Sequence, residues 1–371
     1  MRVLIVGGGI MGCSSALRLA QAGAEVLVLE RSVPGAEASS AAAGILAPAF
    51  EAAHVAAPTQ VVPFGIESRT LYASLAEELR EDHGVDIGHR RCGAMAVAFE
   101  GEDHLNAIEH RLAEAPGAVF ERLDGSEALQ REPSLAAVAG AIDFPDAAQV
   151  DPKRLLPALA LAAERAGAVF RTGAVVHAIE DGPRVVLGTE TLDADHVIVA
   201  AGSWTGLIAG LDLGAARIAP VRGQIVRTTS RPPLFRRVVF GAGGYVLTRP
   251  DGEVLCGSTE EHVGFRKEVT FRGLETILHM AQRVCPRLGQ SAVLGHWASF
   301  RPGTADDLPL IGPAGPKGVW LASGHYRNGI LQAPMTADLL TRALTGTAPS
   351  PFAKLVDPRR FAPERARGAT S

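Results

Sequence analysis

Apolar residues run unbroken from Val3 to Val6, give way to closely spaced glycines, and return with helical spacing from about Ile10 to Ala22. A further apolar run then ends on Glu30. The pattern predicts strand, tight glycine turn, helix and strand, with Gly23 stopping the helix. Helical periodicity recurs over 65–82, ending before Gly84, and a strand-like run follows from Gly93 to Phe99. The stretch 100–145 mixes helix and loop. At Asp151-Pro152 an N-cap residue precedes a proline suited to the first helical position, and the Ala/Leu-rich helix that follows stops at Gly167.

Short strands are predicted at 168–170 and 174–179. The run from His196 to Gly202 is apolar throughout, as expected of a strand buried on both faces of a parallel sheet. From about 216 to 304 the pattern changes to alternating strands with a hairpin turn at Arg249-Pro250-Asp251-Gly252, then a helix from Phe271 to Arg283. A last strand, Val319 to Ser323, precedes a helix from Ile330 to about Leu344. The fold class is therefore α/β. A Rossmann domain is assembled from 1–84, 145–215 and 305–371, and a substrate domain with a mostly antiparallel sheet from 85–144 and 216–304.

The first turn carries chemistry. Gly7 permits the bend, Gly9 leaves a pyrophosphate free access to the backbone, and Gly12 lets the helix approach the sheet. Ile10 and Met11 open the helix, whose free N–H groups point at the phosphates. Glu30 is placed to accept from a ribose, with Arg31 beside it. The segment 35–48 has almost no bulk. It reads either as backbone lying against something large and flat or as an alanine-rich helix.

Composition narrows the options. The 371 residues, 47% of them hydrophobic, suffice for about two cores. A net charge of −4 without basic clusters in the folded part argues against a nucleic-acid surface. The Arg-rich stretch from Arg359 to Arg367 reads as a solvated end. Lysine occurs only at positions 153, 267, 317 and 354, so the cationic side chains are nearly all arginines, suited to binding anions rather than to base catalysis. Four scattered cysteines and the absence of His/carboxylate clusters point to a reducing cytoplasm and to no metal. The first 22 residues superficially mimic a secretory signal, but the glycine spacing and the strand that follows oppose that reading. No membrane span is predicted.

Five segments together carry a family likeness: GGGIMG with Glu30, ASSAAAGILAP at 38–48, AAGSW at 200–204, RPGTADDLPLIG at 301–312 and GHYRNGILQAP at 324–334. In this order along the whole chain they resemble the D-amino-acid oxidase superfamily of flavoproteins, and within it the glycine oxidases of the thiamine-biosynthesis type. The resemblance implies noncovalent FAD, bound by a glutathione-reductase-like domain. It assigns the pyrophosphate to Gly7, Gly9 and Gly12, and the flavin and phosphates to Ser39, Ser40, Ala42, Ala43 and Gly44. It gives an adenine contact to Val175, places Ala201, Gly202 and Trp204 at the cofactor, and sets Arg327, Asn328, Gly329, Ile330 and Leu331 beside the pyrimidine ring. There the N-terminus of the last helix places partial positive charge near the flavin N1 and O2.

The same likeness makes Arg301 and Tyr245 the binders of a substrate carboxylate, with Arg327 nearby; alone, each also reads as a surface ion-pair member or a half-buried strand residue. Hydride transfer from Cα to flavin N5 needs no acid or base side chain, so none is assigned. The expected products are an imine, hydrolysed to oxo-acid and ammonia, and hydrogen peroxide from dioxygen. Glu260 falls where some relatives place an apolar residue; it either selects a cationic group or faces solvent, the latter being the reading taken. Competing functions are a dehydrogenase of D-amino acids or 2-hydroxy acids with another electron acceptor, a noncatalytic flavin subunit, and an NAD-dependent dehydrogenase. A homo-oligomer is compatible with all of them.

Overall fold

The computed structural model describes residues 1–361 apart from Ala56 and Asp212. Arg2–Val6 lies inside a six-stranded sheet ordered Leu310–Pro313, Val319–Ser323, His196–Val199, Arg2–Val6, Glu25–Leu29, Val169–Arg171. All neighbours are parallel except the outermost pair, Leu310–Pro313 with Val319–Ser323. Side chains alternate across the strand. Val3 and Ile5 pack into a core shared with the helices Ile10–Gln21, Pro58–Glu81, Pro152–Arg165 and Gly329–Thr345. Leu4 and Val6 face the other way, onto Ile179 and Val185 of a small antiparallel sheet. Both faces are covered, which is why the strand is apolar at every position.

Local signals account for the ends of these helices. The Asp151 carboxylate accepts from the Lys153 N–H at 3.0 Å while Pro152 opens the helix, and Gly167 takes the left-handed conformation at φ +101. The helix expected over 65–82 begins earlier, at Pro58. Pro63 and Gly65 interrupt the sequence pattern, but burial of Val61, Val62 and Phe64 outweighs the hydrogen bond lost at Pro63. Of the strand expected over 174–179, only Ala178–Glu180 forms. Before it the Ala174 N–H donates to the Glu30 carbonyl at 2.9 Å, so the chain crosses the end of the parallel sheet instead of pairing along it. The expected solvated tail lies largely outside the described residues, and its described part is not simply solvated: Arg360 pairs with Asp306 at 2.7 Å.

The second sheet has eight strands, ordered Gly295–Gly303, Ala219–Thr229, Glu253–Gly257, Gly244–Thr248, Val238–Gly241, Ala94–Ala98, Gly140–Phe144, Glu121–Asp124. Only Val238–Gly241 and Ala94–Ala98 pair in parallel. Helix Phe271–Val284 covers one face through Ile277, Met280 and Val284. The opposite face, with Ala96, Ile225 and Leu255, packs toward Ile45, Phe50 and Val62 of the first half. The hairpin forms where predicted, with the Arg249 N–H donating to the Glu253 carbonyl at 2.8 Å.

The segment 35–48 makes one helical turn, Ala38–Ala41, and then runs extended into the two-residue strand Ile45–Leu46. Gly44, at φ +84, lies so close to Val150 that an added Cβ would sit 2.1 Å from its carbonyl oxygen. Small residues are required here by close backbone approach rather than by helix propensity.

A very tight backbone contact joins the first strand and helix: a Cβ on Gly12 would lie 1.9 Å from the Gly7 carbonyl oxygen. Backbone cannot swing aside as a side chain can. Gly12→Ala is expected to lose about 1–3 kcal/mol or more of stability as the helix is pushed off the sheet; urea unfolding of the variant against the parent measures it.

Candidate active site

The two sheets enclose a cavity of about 1170 Å³, above the 300–1,000 Å³ usual for a drug-sized ligand. Its floor is the first turn: Gly7, Gly9, Ile10, Met11, Glu30 and Arg31 line it. The helix beginning at Ile10 has no side-chain cap and no acidic residue in its first turn, so its positive end is left for an anion. Ser39 reaches this turn and accepts from the Ile10 N–H at 2.9 Å. The Glu30 carboxylate, buried at the tip of its strand, accepts from the Gly8 and Ser32 N–H groups at 2.7 and 2.8 Å. Arg31 lies 3.9 Å over the Trp204 ring and pairs with Glu37 at 2.8 Å.

Ala42, Ala43 and Gly44 form one wall, and Val175, Ala201, Gly202 and Trp204 another. The Gly202 carbonyl is held by hydroxyls of Thr205 and Ser323 at 2.8 and 3.0 Å. The remaining wall carries Arg327, Asn328, Gly329 and Ile330 at the start of the 17-residue helix Gly329–Thr345, which also lacks an acidic first turn. Three predicted residues do not line the cavity. Gly12 faces Gly7, Ser40 is absent from the lining, and Leu331 is buried in the helical core behind it.

Tyr245 and Arg301 come together at the second sheet, on the strands Gly244–Thr248 and Gly295–Gly303. Burial pushes the Tyr245 phenol up to about 12, although the Arg301 charge opposes the shift. It is therefore a neutral hydrogen-bond donor at pH 7. The Arg301 guanidinium donates to the Thr259 carbonyl at 3.1 Å and to the Ser258 hydroxyl. Both partners are neutral, so the positive charge is left to meet an anion from the cavity. Two glycines provide the space. A Cβ on Gly223 would fall 2.4–2.6 Å from the guanidinium, and one on Gly257 would fall 2.9 Å from the Tyr245 hydroxyl oxygen.

Arg327 is differently placed. Its Nε donates to Glu51 at 3.2 Å, and the Asn328 amide donates to the same oxygen at 3.0 Å. Its charge is thus answered within the protein. Glu260 is more than half exposed, yet it lines the cavity beside Tyr326. Burial and this carboxylate together raise the proton affinity of Tyr326.

Sequence reasoning missed Glu51, Phe50, Gly223, Gly257 and Arg249. Phe50 stacks on Phe240 with centroids 3.6 Å apart. Buried Arg249, read only as a turn residue, donates to the carbonyls of Val150 and Ala43 at 3.0 and 2.9 Å and pairs with Glu253 at 2.9 Å. Nothing in the RPDG pattern foretold it, because its partners are backbone atoms about a hundred and two hundred positions away.

Comparison with known proteins follows the same lines. Residues 2–343 match the family of FAD dependent oxidoreductases. The chain is 35% identical over 365 residues to a glycine oxidase of Geobacillus kaustophilus, covering 94% of this chain and 95% of the relative. It is 33% identical to a glycine oxidase of Pseudomonas putida over 98% of each. It is also 35% identical to the bifunctional protein ThiO/ThiG of Synechocystis, of which it spans about half the length. The crystal structure of the Geobacillus kaustophilus glycine oxidase superimposes with a TM-score of 0.90 at 32% identity, over 98% of this chain and 100% of that one. Iminodiacetate oxidase from Chelativorans sp. BNC1 superimposes at 0.86 with 29% identity, over 96% and 99% of the chains.

His325 belongs to the cavity wall and is buried, with Nε2 2.9 Å from the Thr336 hydroxyl. Burial lowers its pKa from 6.5 to about 3. Between these values the unfolded chain binds the extra proton, so this stabilisation is complete above pH 6.5 and is lost as pH falls toward 3. From pH 7 to pH 5 it should cost about 2 kcal/mol. Urea unfolding of the parent and of His325→Gln at both pH values checks this: the variant, which cannot be protonated there, should lose about 2 kcal/mol less.

Proposed function

Because the chain belongs to the FAD dependent oxidoreductase family, with FAD as its cofactor, we propose that it is an oxidase of glycine and other small amino acids and amines, such as sarcosine and small D-amino acids. The observation that carries this reading is Arg301, cationic and partnered only by neutral groups, beside a neutral Tyr245 donor in the cavity that the first glycine turn opens. The likeness to glycine oxidases and the half-length match to ThiO/ThiG proteins support the substrate class and a place in thiamine biosynthesis.

The residues present fit the cofactor. Gly7 and Gly9 leave an open cradle at a helix N-terminus whose N-cap residue has no side chain and whose first turn has no acid, which suits a pyrophosphate. Glu30 stands at the strand tip, where it would accept from a ribose, and the small residues Ala42, Ala43 and Gly44 would lie along the flavin. We assign the remaining contacts to Ser39, Val175, Ala201, Gly202, Trp204 and the turn Arg327 to Ile330. The segments 1–84, 145–215 and 305–371 would form the FAD-binding half and the rest the substrate half. No cysteine lies between Arg301 and the C-terminus, which accords with noncovalent binding. A cytoplasmic setting fits the free cysteines; among the described residues, no helix is long and apolar enough to cross a membrane.

The chemistry that bound FAD supplies is acceptance of a hydride from the substrate Cα and delivery of two electrons to dioxygen, giving an imine, hydrolysed to oxo-acid and ammonia, and hydrogen peroxide. The chain's own part is positional. Arg301 takes the substrate carboxylate through a charged, bidentate contact, and Tyr245 donates a further hydrogen bond to it. Fixing that group fixes the direction of the Cα–H bond. No side chain is assigned as acid or base. The positive end of helix Gly329–Thr345 favours negative charge arising at that wall. Arg327, neutralised by Glu51, contributes shape more than charge.

Purified protein should be yellow, and glycine, sarcosine or a small D-amino acid should bleach it anaerobically and release peroxide once air enters. Failure of every such amine to reduce the flavin rejects the proposal. Dye reduction without oxygen uptake would identify a dehydrogenase instead. Arg301→Ala should keep its flavin but lose apparent substrate affinity equivalent to about 2–5 kcal/mol, read from KM.

A further inference from the structure

The strands Ala219–Thr229 and Glu253–Gly257 pair antiparallel as far as Ile225 with Gly257. Pairing resumes once more, between Arg222 and Glu261. Between these points two residues, Gly223 and Gln224, face three, Ser258 to Glu260. The extra residue makes a β-bulge, a device that redirects side chains and carbonyls beside a site. Here it turns the Thr259 carbonyl and the Ser258 hydroxyl onto the Arg301 guanidinium.

A bulge loses ladder hydrogen bonds and must be held by other means. On this strand Arg222 and Gln224 share one face and Gly223 the other. Gly223 forms the floor under the guanidinium. On the far face Arg222 and Gln224, 4% and 0% exposed, converge on the Glu261 carboxylate. Arg222 pairs with Glu261 Oε2, and the Gln224 amide donates to Oε1 at 2.6 Å. The Thr259 hydroxyl also donates to Oε1 at 2.6 Å, while its oxygen accepts from the Gln224 N–H at 3.0 Å in place of a ladder bond. The Gln224 side-chain Oε1 accepts from the N–H of Thr270, the N-cap of helix Phe271–Val284, at 2.9 Å. Although burial opposes it, hydrogen bonds from Arg222, Thr259 and Gln224 hold the Glu261 carboxyl below its ordinary pKa. It is an anion at pH 7.

We infer that Glu261 is a positioning residue for substrate binding: through Arg222, Gln224 and Thr259 it sets the bulge whose carbonyl and hydroxyl aim Arg301 into the cavity. The inference rests on the reading of Arg301 as the carboxylate clamp. Glu261 borders the cavity, but its carboxylate is taken up by Arg222, Gln224 and Thr259; in this role it acts through Arg301, and its removal should loosen the clamp without altering the chemical step.

The test uses the FAD-loaded full chain and acetate as a simple carboxylate probe, its binding followed by the change in flavin absorbance. In Glu261→Gln the acetate dissociation constant and the KM for glycine should both rise at least about tenfold, with kcat within about threefold and flavin content unchanged. Thr259→Val, a milder change, should move both constants the same way by a smaller factor, and it carries the test alone should Glu261→Gln fail to fold. In an Arg301→Ala background, Glu261→Gln should have no further effect on acetate binding. Unchanged acetate binding in both variants, a parallel loss of kcat and flavin, or a full effect of Glu261→Gln without Arg301 would each overturn the inference. Failure of the parent to oxidise any amine would sink the proposed function, yet the acetate titrations would still decide whether Glu261 aims Arg301.

Discussion

Everything at the cavity depends on two sheets being held at a fixed separation with open space between them. Hydrophobic burial cannot do this by itself, since it favours closing such a space. Directional polar ties cross the boundary instead. Buried Arg249 on the antiparallel sheet takes the backbone carbonyls of Ala43 and Val150. The Trp297 indole N–H donates to the Ala41 carbonyl at 3.0 Å, and the Ser203 hydroxyl donates to the Phe300 carbonyl at 3.2 Å. Each tie ends on backbone next to a cavity wall. The small-residue segment on one side and the Arg301 strand on the other are thereby set in register.

Within that frame charge is distributed unevenly. Arg327 is matched by Glu51, Arg222 by Glu261 and Arg249 by Glu253. Arg301 alone among these four has only neutral partners. Leaving a partly buried guanidinium without a counter-ion is costly, and a site that binds a carboxylate recovers that cost when its ligand arrives. Glycine serves the same end: Gly223 and Gly257 clear room for the guanidinium and for the Tyr245 hydroxyl. Shape and charge at this end of the cavity are thus decided by residues that carry no chemistry of their own.

Much of this was legible beforehand. The unbroken apolar runs at Val3–Val6 and His196–Val199 announced strands covered on both faces, because period and burial follow directly from residue type. Asp151-Pro152 and Gly167 marked helix ends through local backbone chemistry that needs no distant partner. Arg301, Tyr245 and the turn from Arg327 to Ile330 were found as candidates only through family motifs, and the fold brings them to one cavity. Where sequence reasoning fell short, a long-range contact had prevailed over a local preference. Helix Pro58–Glu81 runs through Pro63 because its apolar face is buried, and 174–177 leaves the strand conformation because Ala174 bonds to Glu30.

By itself the sequence determined the order and type of the elements, the glycine turn that suits a pyrophosphate, and the supply of arginines suited to anions. These depend on neighbours within a few residues, where spacing and propensity suffice. Only the tertiary structure decided which arginine is left for a ligand. Arg301, Arg327, Arg222 and Arg249 look alike along the chain. They differ because Glu51 lies 276 positions from Arg327, Glu261 meets Arg222 across a bulge, and Arg249 is drawn to carbonyls of another sheet. The pairing of charges is a property of distances in space, and a linear pattern does not contain them.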